Sequence, residues 1–260
     1  MKILMIGDVY GRPGRKALKE NLPGLIQEYK IDVVVANGEN AAGGNGLTSE
    51  IGKDFFSWGV DVITMGNHVW NNRDIFSYLS REPRVIRPAN YPDDSPGRGS
   101  WSFAAKNKVK MAVLNISGQV FMQPLGCPFR KAQELLAELE PDIKVILLDF
   151  HAEATSEKVA MGWFLDGKVS AVCGTHTHIQ TADERILPQG TAYITDVGMT
   201  GPRDSVIGVE KELVIEKFVT QMPRRFEAAL GDYQLNAVVI EVDPESGRAL
   251  SIERIQTFET

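Results

Sequence analysis

Five apolar segments of the chain each end in residues that can bind metal ions. They are MIGD at 5–8, VVANGEN at 34–40, ITMGNH at 63–68, LLDFHAE at 147–153 and AVCGTHTH at 171–178. All four histidines of the sequence lie in these segments, which is not expected of histidines used only for packing. Carboxylates, amide oxygens and imidazoles are common ligands of divalent cations. The pattern therefore favours metal-dependent chemistry.

Taken singly, several of these motifs have a simpler interpretation. Asp8 could cap a helix or contact a ribose, and the NGEN sequence could form a turn. His151 alone could be a hydrogen-bonded histidine of the core. The GNH sequence is more specific, because glycine permits a tight turn while Asn67 offers an oxygen and His68 an imidazole.

Two pairs carry more information. Glu39 and Asn40 place a carboxylate beside an amide oxygen, which suits divalent cations. His176 and His178 are two residues apart, so on an extended strand end both side chains would leave on the same face. An exposed HxH sequence without a role is the alternative. We regard this histidine pair as the most specific single motif.

The elements that must position these residues follow an α/β pattern, in which β-branched apolar runs alternate with segments of helical period. Strands are predicted near 2–7, 32–36, 60–65, 109–116, 144–150, 169–173, 191–195, 235–242 and 249–256. Helices are predicted near 13–29, 48–58, 72–81, 128–139, 155–165 and 209–221. Ligands of open α/β sheets bind at the carboxyl ends of strands, so the five segments can converge on one pocket.

Composition is that of a globular protein. The chain has 260 residues, of which 43% are hydrophobic and 24% charged, and we expect one domain over 1–260. The Pro- and Gly-rich stretch 88–100 is predicted to be a long surface loop. Cys127 and Cys173 form no CxxC motif, which argues against a disulfide framework or a thiolate zinc site.

Charge and hydropathy limit the partners. A net charge of −6 argues against a stable complex with nucleic acid. The N-terminal sequence is typical of a first strand and not of a signal peptide, and no apolar run approaches the roughly 18–20 residues that span a bilayer. We therefore expect a cytoplasmic protein without a membrane partner, and a homo-oligomer is compatible with the sequence.

Together and in order, the five segments resemble the signature of the calcineurin-like metallophosphoesterases. More narrowly, GDVYGRPGR, NGENAAGG, GNHVW, DFHAEATSEK, GTHTHIQTAD and DVGMTGP resemble the YmdB-like phosphodiesterase branch over nearly the whole chain. The resemblance implies an α/β fold of four layers, with two mixed β-sheets face to face and helices outside. It also implies a site for two divalent metal ions, iron or manganese.

The resemblance implies a role for each residue of the site. Asp8, Asn40 and His178 would hold one ion, Asn67, His151 and His176 would hold the other, and Glu39 would bridge them. A hydroxide between the ions would attack phosphorus, and His68 would be the catalytic acid that protonates the leaving oxygen. The wider superfamily has a histidine where this chain has Tyr10, and an aspartate where it has Glu39. Asn40 is therefore our candidate for the missing donor.

The implied activity is hydrolysis of small phosphodiesters, with 2′,3′- and 3′,5′-cyclic nucleotides as substrates. One alternative is a regulatory module that binds metals and a nucleotide without turnover. A second is a nicotinamide-dependent oxidoreductase, suggested by Gly7, Gly11 and Gly14, although their spacing is G-x3-G-x2-G.

Two flanking features have a predicted role beside a simpler one. Glu153 would orient a ligand histidine, and is otherwise a carboxylate beside a helix. The stretch 196–202, DVGMTGP, would form a lip over the pocket, and is otherwise an ordinary exit from a strand.

Overall fold

The structure, a computed structural model, describes residues 1–259. Its helices are α1 (Gly11–Tyr29), α2 (Ser49–Trp58), α3 (Asp74–Arg81), α4 (Pro128–Glu138), α5 (Thr155–Leu165) and α6 (Lys211–Thr220). Its strands are β1 (Lys2–Ile6), β2 (Asp8–Val9), β3 (Val33–Asn37), β4 (Val62–Thr64), β5 (Val85–Ile86), β6 (Ser100–Ala104), β7 (Lys110–Ser117), β8 (Val145–His151), β9 (Ala171–Thr175), β10 (Arg185–Ile186), β11 (Ala192–Ile194), β12 (Met199–Pro202), β13 (Tyr233–Val242) and β14 (Ala249–Phe258).

The strands form two mixed sheets. The first has the order β2-β12-β13-β1-β3-β4-β5, with β14 paired to β13, and the second has the order β10-β11-β9-β8-β7-β6. Strands β1, β3, β4 and β5 are parallel neighbours, as are β7, β8, β9 and β11. Parallel strands bring the loops that follow them to one edge of each sheet.

Side chains that alternate along the strands build the layers. On β1, Ile3 and Met5 pack between the two sheets, whereas Leu4 and Ile6 pack in the cluster that includes residues of α1 and α2. On β8, Leu147 belongs to the core between the sheets and residues on either side of it face the cluster that includes α4 and α5. Because successive side chains of a strand point to opposite faces, the central strands of each sheet are buried on both sides. This gives four layers, helix, sheet, sheet and helix, and confirms the predicted fold class.

Each of the nine predicted strands and six predicted helices has a counterpart whose ends differ by at most two residues. Strands β2, β5, β6, β10 and β12 were not predicted. Three of these have only two residues, so pairing with a neighbour and not local sequence defines them.

The stretch 196–202 is not a lip over a pocket. Residues 199–202 form β12, which is buried and pairs with both β2 and β13. The backbone of the 196–202 stretch lies close to the end of β1 and to α1. A side chain at Gly7 would collide with the carbonyl of Gly198, and one at Gly14 with the carbonyl of Thr200. Packing therefore explains these two glycines.

The prediction of a surface loop at 88–100 is wrong in two respects. Ser100 already belongs to β6, and residues 89–91 are buried. The Asn90 side chain donates hydrogen bonds to the carbonyls of Ser117 and Gly126, at 2.8 and 2.9 Å. These bonds fix the start of the loop inside the fold although its composition is that of a turn.

The five predicted metal-binding segments all lie where a strand ends. Asp8 follows β1, Glu39 follows β3, and Asn67 follows β4, while His151 is the last residue of β8 and His176 follows β9. The two sheets thus contribute to a common edge of the sandwich. Over residues 1–259, no helix combines the length and the apolar character needed to cross a membrane.

Candidate metal centre

One ring nitrogen of His151 lies close to three other predicted ligands. Its Nε2 atom lies 2.9 Å from Glu39 Oε1, 3.0 Å from Asn67 Oδ1 and 3.0 Å from His176 Nδ1. Glu39, His151 and His176 offer ligand atoms that all lie within 4.8 Å of one another. A single ring nitrogen carries at most one hydrogen, so hydrogen bonding cannot satisfy three such neighbours at once. A cation among these donors would satisfy them together.

Partners on the far side of each ring select the tautomer that leaves a lone pair for a cation. His176 Nε2 lies 3.0 Å from Glu153 Oε2, so Nε2 carries the proton and Nδ1 is free. His151 Nδ1 lies 2.9 Å from Thr175 Oγ1, and that hydroxyl donates to Asp149 Oδ1 at 2.7 Å. Such carboxylate and hydroxyl partners typically orient histidine ligands.

Asp149 is buried between the sheets and links them. Its Oδ2 atom accepts hydrogen bonds from Asn37 Nδ2, at 3.1 Å, and from the Thr64 hydroxyl. Asn37 and Thr64 end β3 and β4 of the first sheet, while Asp149 and Thr175 belong to β8 and β9 of the second. The same buried carboxylate therefore aligns the ends of both sheets and holds His151.

A second group of donors lies beside the first. Over residues 1–259, the buried atoms Asp8 Oδ1 and Asn40 Oδ1 have no hydrogen-bond partner. Asn40 Nδ2 donates to the Gly44 carbonyl at 3.1 Å, so the amide is fixed with its oxygen unengaged. His178 Nδ1 lies 2.8 Å from the Ile207 carbonyl, which leaves Nε2 3.9 Å from Asp8 Oδ1. Buried oxygens without partners are rare, and a bound cation would account for both.

The prediction that the two histidines of the HTH sequence lie on an extended strand end is wrong. Strand β9 ends at Thr175, and the backbone φ angles of His176 and His178 are 98° and 68°. A left-handed conformation at a non-glycine residue costs about 1–3 kcal/mol and persists only where the surroundings enforce it. The histidines reach the site through this strained turn instead of through strand alternation.

The turn at residues 176–178 is held by a buried ion pair between Lys158 and Asp196. Asp196 Oδ2 accepts hydrogen bonds from the Thr177 backbone N–H, at 3.1 Å, and from the Thr177 hydroxyl, at 2.6 Å. The same oxygen lies 2.7 Å from Lys158 Nζ, and Lys158 and Asp196 are 1% and 0% exposed. Thr177 is thereby fixed between the two histidines.

The electrostatics of the cluster suit a cation. Burial raises the pKa of Asp8 to about 6, against the opposing effect of His178 and His151. Burial disfavours the charged forms of Glu39 and His151, but their mutual attraction and hydrogen bond prevail, so the pKa of Glu39 falls to about 2 and that of His151 rises to about 9. Burial, with the charge of His151, lowers the pKa of His176 to about 3, which keeps this ring neutral at pH 7. His151 thus carries a proton where a cation would bind.

His68 stands apart from the donor cluster. Its Nδ1 atom lies 3.0 Å from Asn71 Nδ2, an amide nitrogen that can only donate, so Nε2 carries the proton of the neutral ring. Its backbone N–H donates to Glu39 Oε2 at 2.8 Å. The side chain is half-buried and lines the cavity above the site. In this tautomer the ring has an N–H group to donate, whereas the backbone of residue 68 holds Glu39.

A cavity of about 380 Å³ opens onto these donors. It is lined by Tyr10, Glu39, Asn40, Gly44, Asn45, His68, Glu153, His176, Thr177, His178, Ile207, Val209 and Phe226. Sequence reasoning missed the supporting residues Asn71, Asp149, Thr175, Lys158 and Asp196. Two of them, Asp149 and Thr175, stand inside the motifs LLDFHAE and GTHTH. Only the fold shows that Thr175 contacts His151 and that Asp149 contacts Thr175.

Comparison with known proteins gives concordant matches. The family described as "YmdB-like protein" matches residues 4–255. The chain is 51% identical over 255 residues to the 2′,3′-cyclic-nucleotide 2′-phosphodiesterase of Bacillus subtilis (strain 168), covering 98% of this chain and 96% of that protein. A hypothetical protein from Thermus thermophilus superposes with a TM-score of 0.94 at 42% identity, over 100% of both chains. A novel phosphatase of Mycoplasma pneumoniae superposes with a TM-score of 0.94 at 37% identity, over 99% of this chain and 93% of that one.

Proposed function

Because the chain belongs to the YmdB-like protein family, we propose that it is a metal-dependent phosphodiesterase that hydrolyses cyclic nucleotides. The observation that carries the proposal is the convergence of Glu39, Asn67 and His176 on His151, beside the unpartnered oxygens of Asp8 and Asn40. The name of the Bacillus subtilis relative favours the 2′,3′-cyclic kind of substrate.

The donors separate into two groups of the composition that two divalent cations need. Asn67, His151 and His176 would hold one ion, Asp8, Asn40 and His178 the other, and Glu39 would bridge them. Mixed oxygen and imidazole donors suit iron or manganese, which we propose as the native metals. Bound cations would lower the pKa of water and offset the charge of the phosphoryl oxygens.

The protein's own groups then orient the ester and supply a proton. The Nε2–H of His68 is held by Asn71 in the tautomer that can donate, and we assign its proton to the departing ribose oxygen. Glu153 and Thr175 contact the far nitrogens of His176 and His151, and would thereby keep the other nitrogen of each ring available to a bound metal.

Two alternative functions remain to be compared with this site. A metal- and nucleotide-binding module without turnover would have the same donors and the same cavity. A nicotinamide-dependent oxidoreductase is less favoured, because packing against the 196–202 stretch accounts for Gly7 and Gly14, and the proposed metal site accounts for His151 and His176.

The experiment combines metal analysis with turnover. Protein stripped with a chelator and reloaded anaerobically with Mn²⁺ or Fe²⁺ is assayed on 2′,3′-cyclic AMP, 3′,5′-cyclic AMP and p-nitrophenyl phosphate. We expect about two ions per chain and metal-dependent hydrolysis of a cyclic nucleotide. Glu39→Ala should lower both, whereas Glu138→Ala, a change at an exposed residue of α4, should lower neither. Two bound ions without turnover on any ester would favour the regulatory module.

A further inference from the structure

One wall of the cavity presents apolar side chains and contains none of the proposed metal ligands. We propose that this wall is a nucleobase subsite in which the ring of Phe226 stacks on the base of the substrate, so that it selects nucleotides over phosphodiesters without a base. The inference rests on the proposed phosphodiesterase function. The wall consists of residues 206–210 together with residues 226–229.

Backbone pairing builds the wall. Val209 forms isolated antiparallel bridges with both Val206 and Ala228. The Glu210 N–H donates to the Glu227 carbonyl at 3.0 Å, and the Ala229 N–H donates to the Gly208 carbonyl at 2.9 Å. Phe226 precedes this paired stretch directly, so its backbone position is fixed relative to the cavity.

The ring of Phe226 is placed as a stacking partner. Lys217 Nζ lies over the ring, 4.7 Å from its centroid, and so covers one side. The residue is nevertheless 41% exposed, and its side chain lines the cavity. An aromatic ring on the wall of a cavity can stack on a planar heterocycle, whatever the pattern of donors and acceptors on that heterocycle.

The cavity has a polar side and an apolar side, which match the charged phosphate and the flat base of a nucleotide. Its metal side presents carboxylates, amides and imidazoles, whereas the opposite wall presents Ile207, Val209 and Phe226. Within residues 1–259, no lysine or arginine lines the cavity, and the ammonium of Lys217 lies against the ring of Phe226. We therefore assign the charge of the phosphodiester to the metal side. A neutral, flat base suits the apolar wall, and a cavity of about 380 Å³ is within the range of small-molecule sites.

The wall is also tied to a metal ligand. The Ile207 carbonyl holds His178 Nδ1 at 2.8 Å, and Ile207 has a φ angle of 48°, which is unusual for a β-branched residue. The strained conformation points the carbonyl at the ligand while the side chain faces the cavity. Base binding and phosphate binding therefore share one rigid segment.

The test compares two five-membered cyclic phosphodiesters, of which one carries a nucleoside and the other has neither base nor ribose. Phe226→Ala should raise the KM for 2′,3′-cyclic AMP about five- to hundredfold, the usual loss when one base-stacking ring is removed, and change kcat little. The KM for glycerol 1,2-cyclic phosphate, followed by phosphorus NMR, should stay within about twofold. Phe226→Trp should restore the low KM for the nucleotide.

The matched control is Phe218→Ala, which removes a phenylalanine that is 70% exposed on α6 and does not line the cavity. It should leave both KM values unchanged. Size-exclusion chromatography of each variant tests whether the apolar surface is instead covered by a second copy of the chain. An altered oligomeric state with equal losses on both esters would overturn the proposal, and so would an unchanged KM for the nucleotide.

Binding separates this inference from the proposed function. If the wild-type protein hydrolyses neither ester, calorimetric titration of the Mn²⁺-loaded protein with adenosine 3′-monophosphate and with inorganic phosphate still tests the wall. Weaker nucleotide binding in Phe226→Ala, with phosphate binding unchanged, would support the subsite although the enzymatic function had failed. Equal nucleotide affinity in the two proteins would overturn the subsite.

Discussion

Removal of the His68 ring tests whether this residue is an acid or a metal ligand. Within residues 1–259, the ring hydrogen-bonds to Asn71 and to none of the proposed metal ligands. The bond that supports Glu39 comes from the backbone N–H of residue 68, which alanine retains. We therefore expect His68→Ala to keep both ions and to lower kcat by about 10²–10⁴, the usual contribution of a positioned general acid.

Removal of the Asn71 side chain should have a smaller effect on kcat than removal of the His68 ring. Asn71→Ala would remove the exposed 3.0 Å hydrogen bond that selects the proton-donating tautomer of His68. A bond of this kind contributes about 0.5–1.5 kcal/mol, so kcat should fall roughly two- to tenfold. His176→Ala, in contrast, deletes one of the donors around His151 and should lose metal together with activity.

The assay measures metal content and kcat for each variant with two leaving groups. Bis(p-nitrophenyl) phosphate releases a phenolate that needs little protonation, whereas 2′,3′-cyclic AMP releases a ribose oxygen. The defect of His68→Ala should shrink markedly on the aryl ester, and the defect of His176→Ala should not. Loss of a metal ion from His68→Ala, or an equal defect on both esters, would refute the assignment and place His68 among the ligands.

Three further predictions concern the residues around the ligands. Thr175→Val removes the hydroxyl between His151 and Asp149 and should weaken Mn²⁺ binding about 10- to 100-fold in calorimetric titration; unchanged affinity would contradict the orienting role. Lys158→Met leaves the Asp196 carboxylate buried without its counter-ion and should lower the free energy of unfolding by about 3–5 kcal/mol in urea, with partial recovery when Asp196→Asn is added. Because the pKa of His151 is raised to about 9 in the metal-free protein, Mn²⁺ binding at pH 7.5 should release about one proton from this ring, and the release should vanish as the pH rises above about 9. Titrations in buffers of different ionisation enthalpy measure it, and a proton count that does not depend on pH would exclude His151 as its source.

The sequence by itself determined the elements and the ligand candidates. Short apolar runs rich in β-branched residues, which lie between segments of helical period, placed nine of the strands. Strands buried on both faces, such as β1 and β8, are apolar at nearly every position and so form such runs. The five polar strand ends were visible for the same reason, since a carboxylate or imidazole directly after a buried strand interrupts a strong local pattern. The structure brings Asp8, Glu39, Asn40, Asn67, His151, His176 and His178 to one edge of the sandwich, while their occupation by metal stays a prediction.

Only the tertiary structure decided how these residues are held. The strained turn at His176 and His178 is imposed by Asp196, whose contact with Thr177 spans 19 residues of sequence. Asp149 links both sheets across separations of up to 112 residues, which no local pattern records. Strand β12 was hidden for a related reason, because its Gly- and Pro-containing sequence is typical of a loop and only pairing with β2 and β13 makes it a strand. Local sequence fixes periodicity and residue chemistry, whereas long-range packing chooses the tautomers, the strained angles and the wall that faces the substrate.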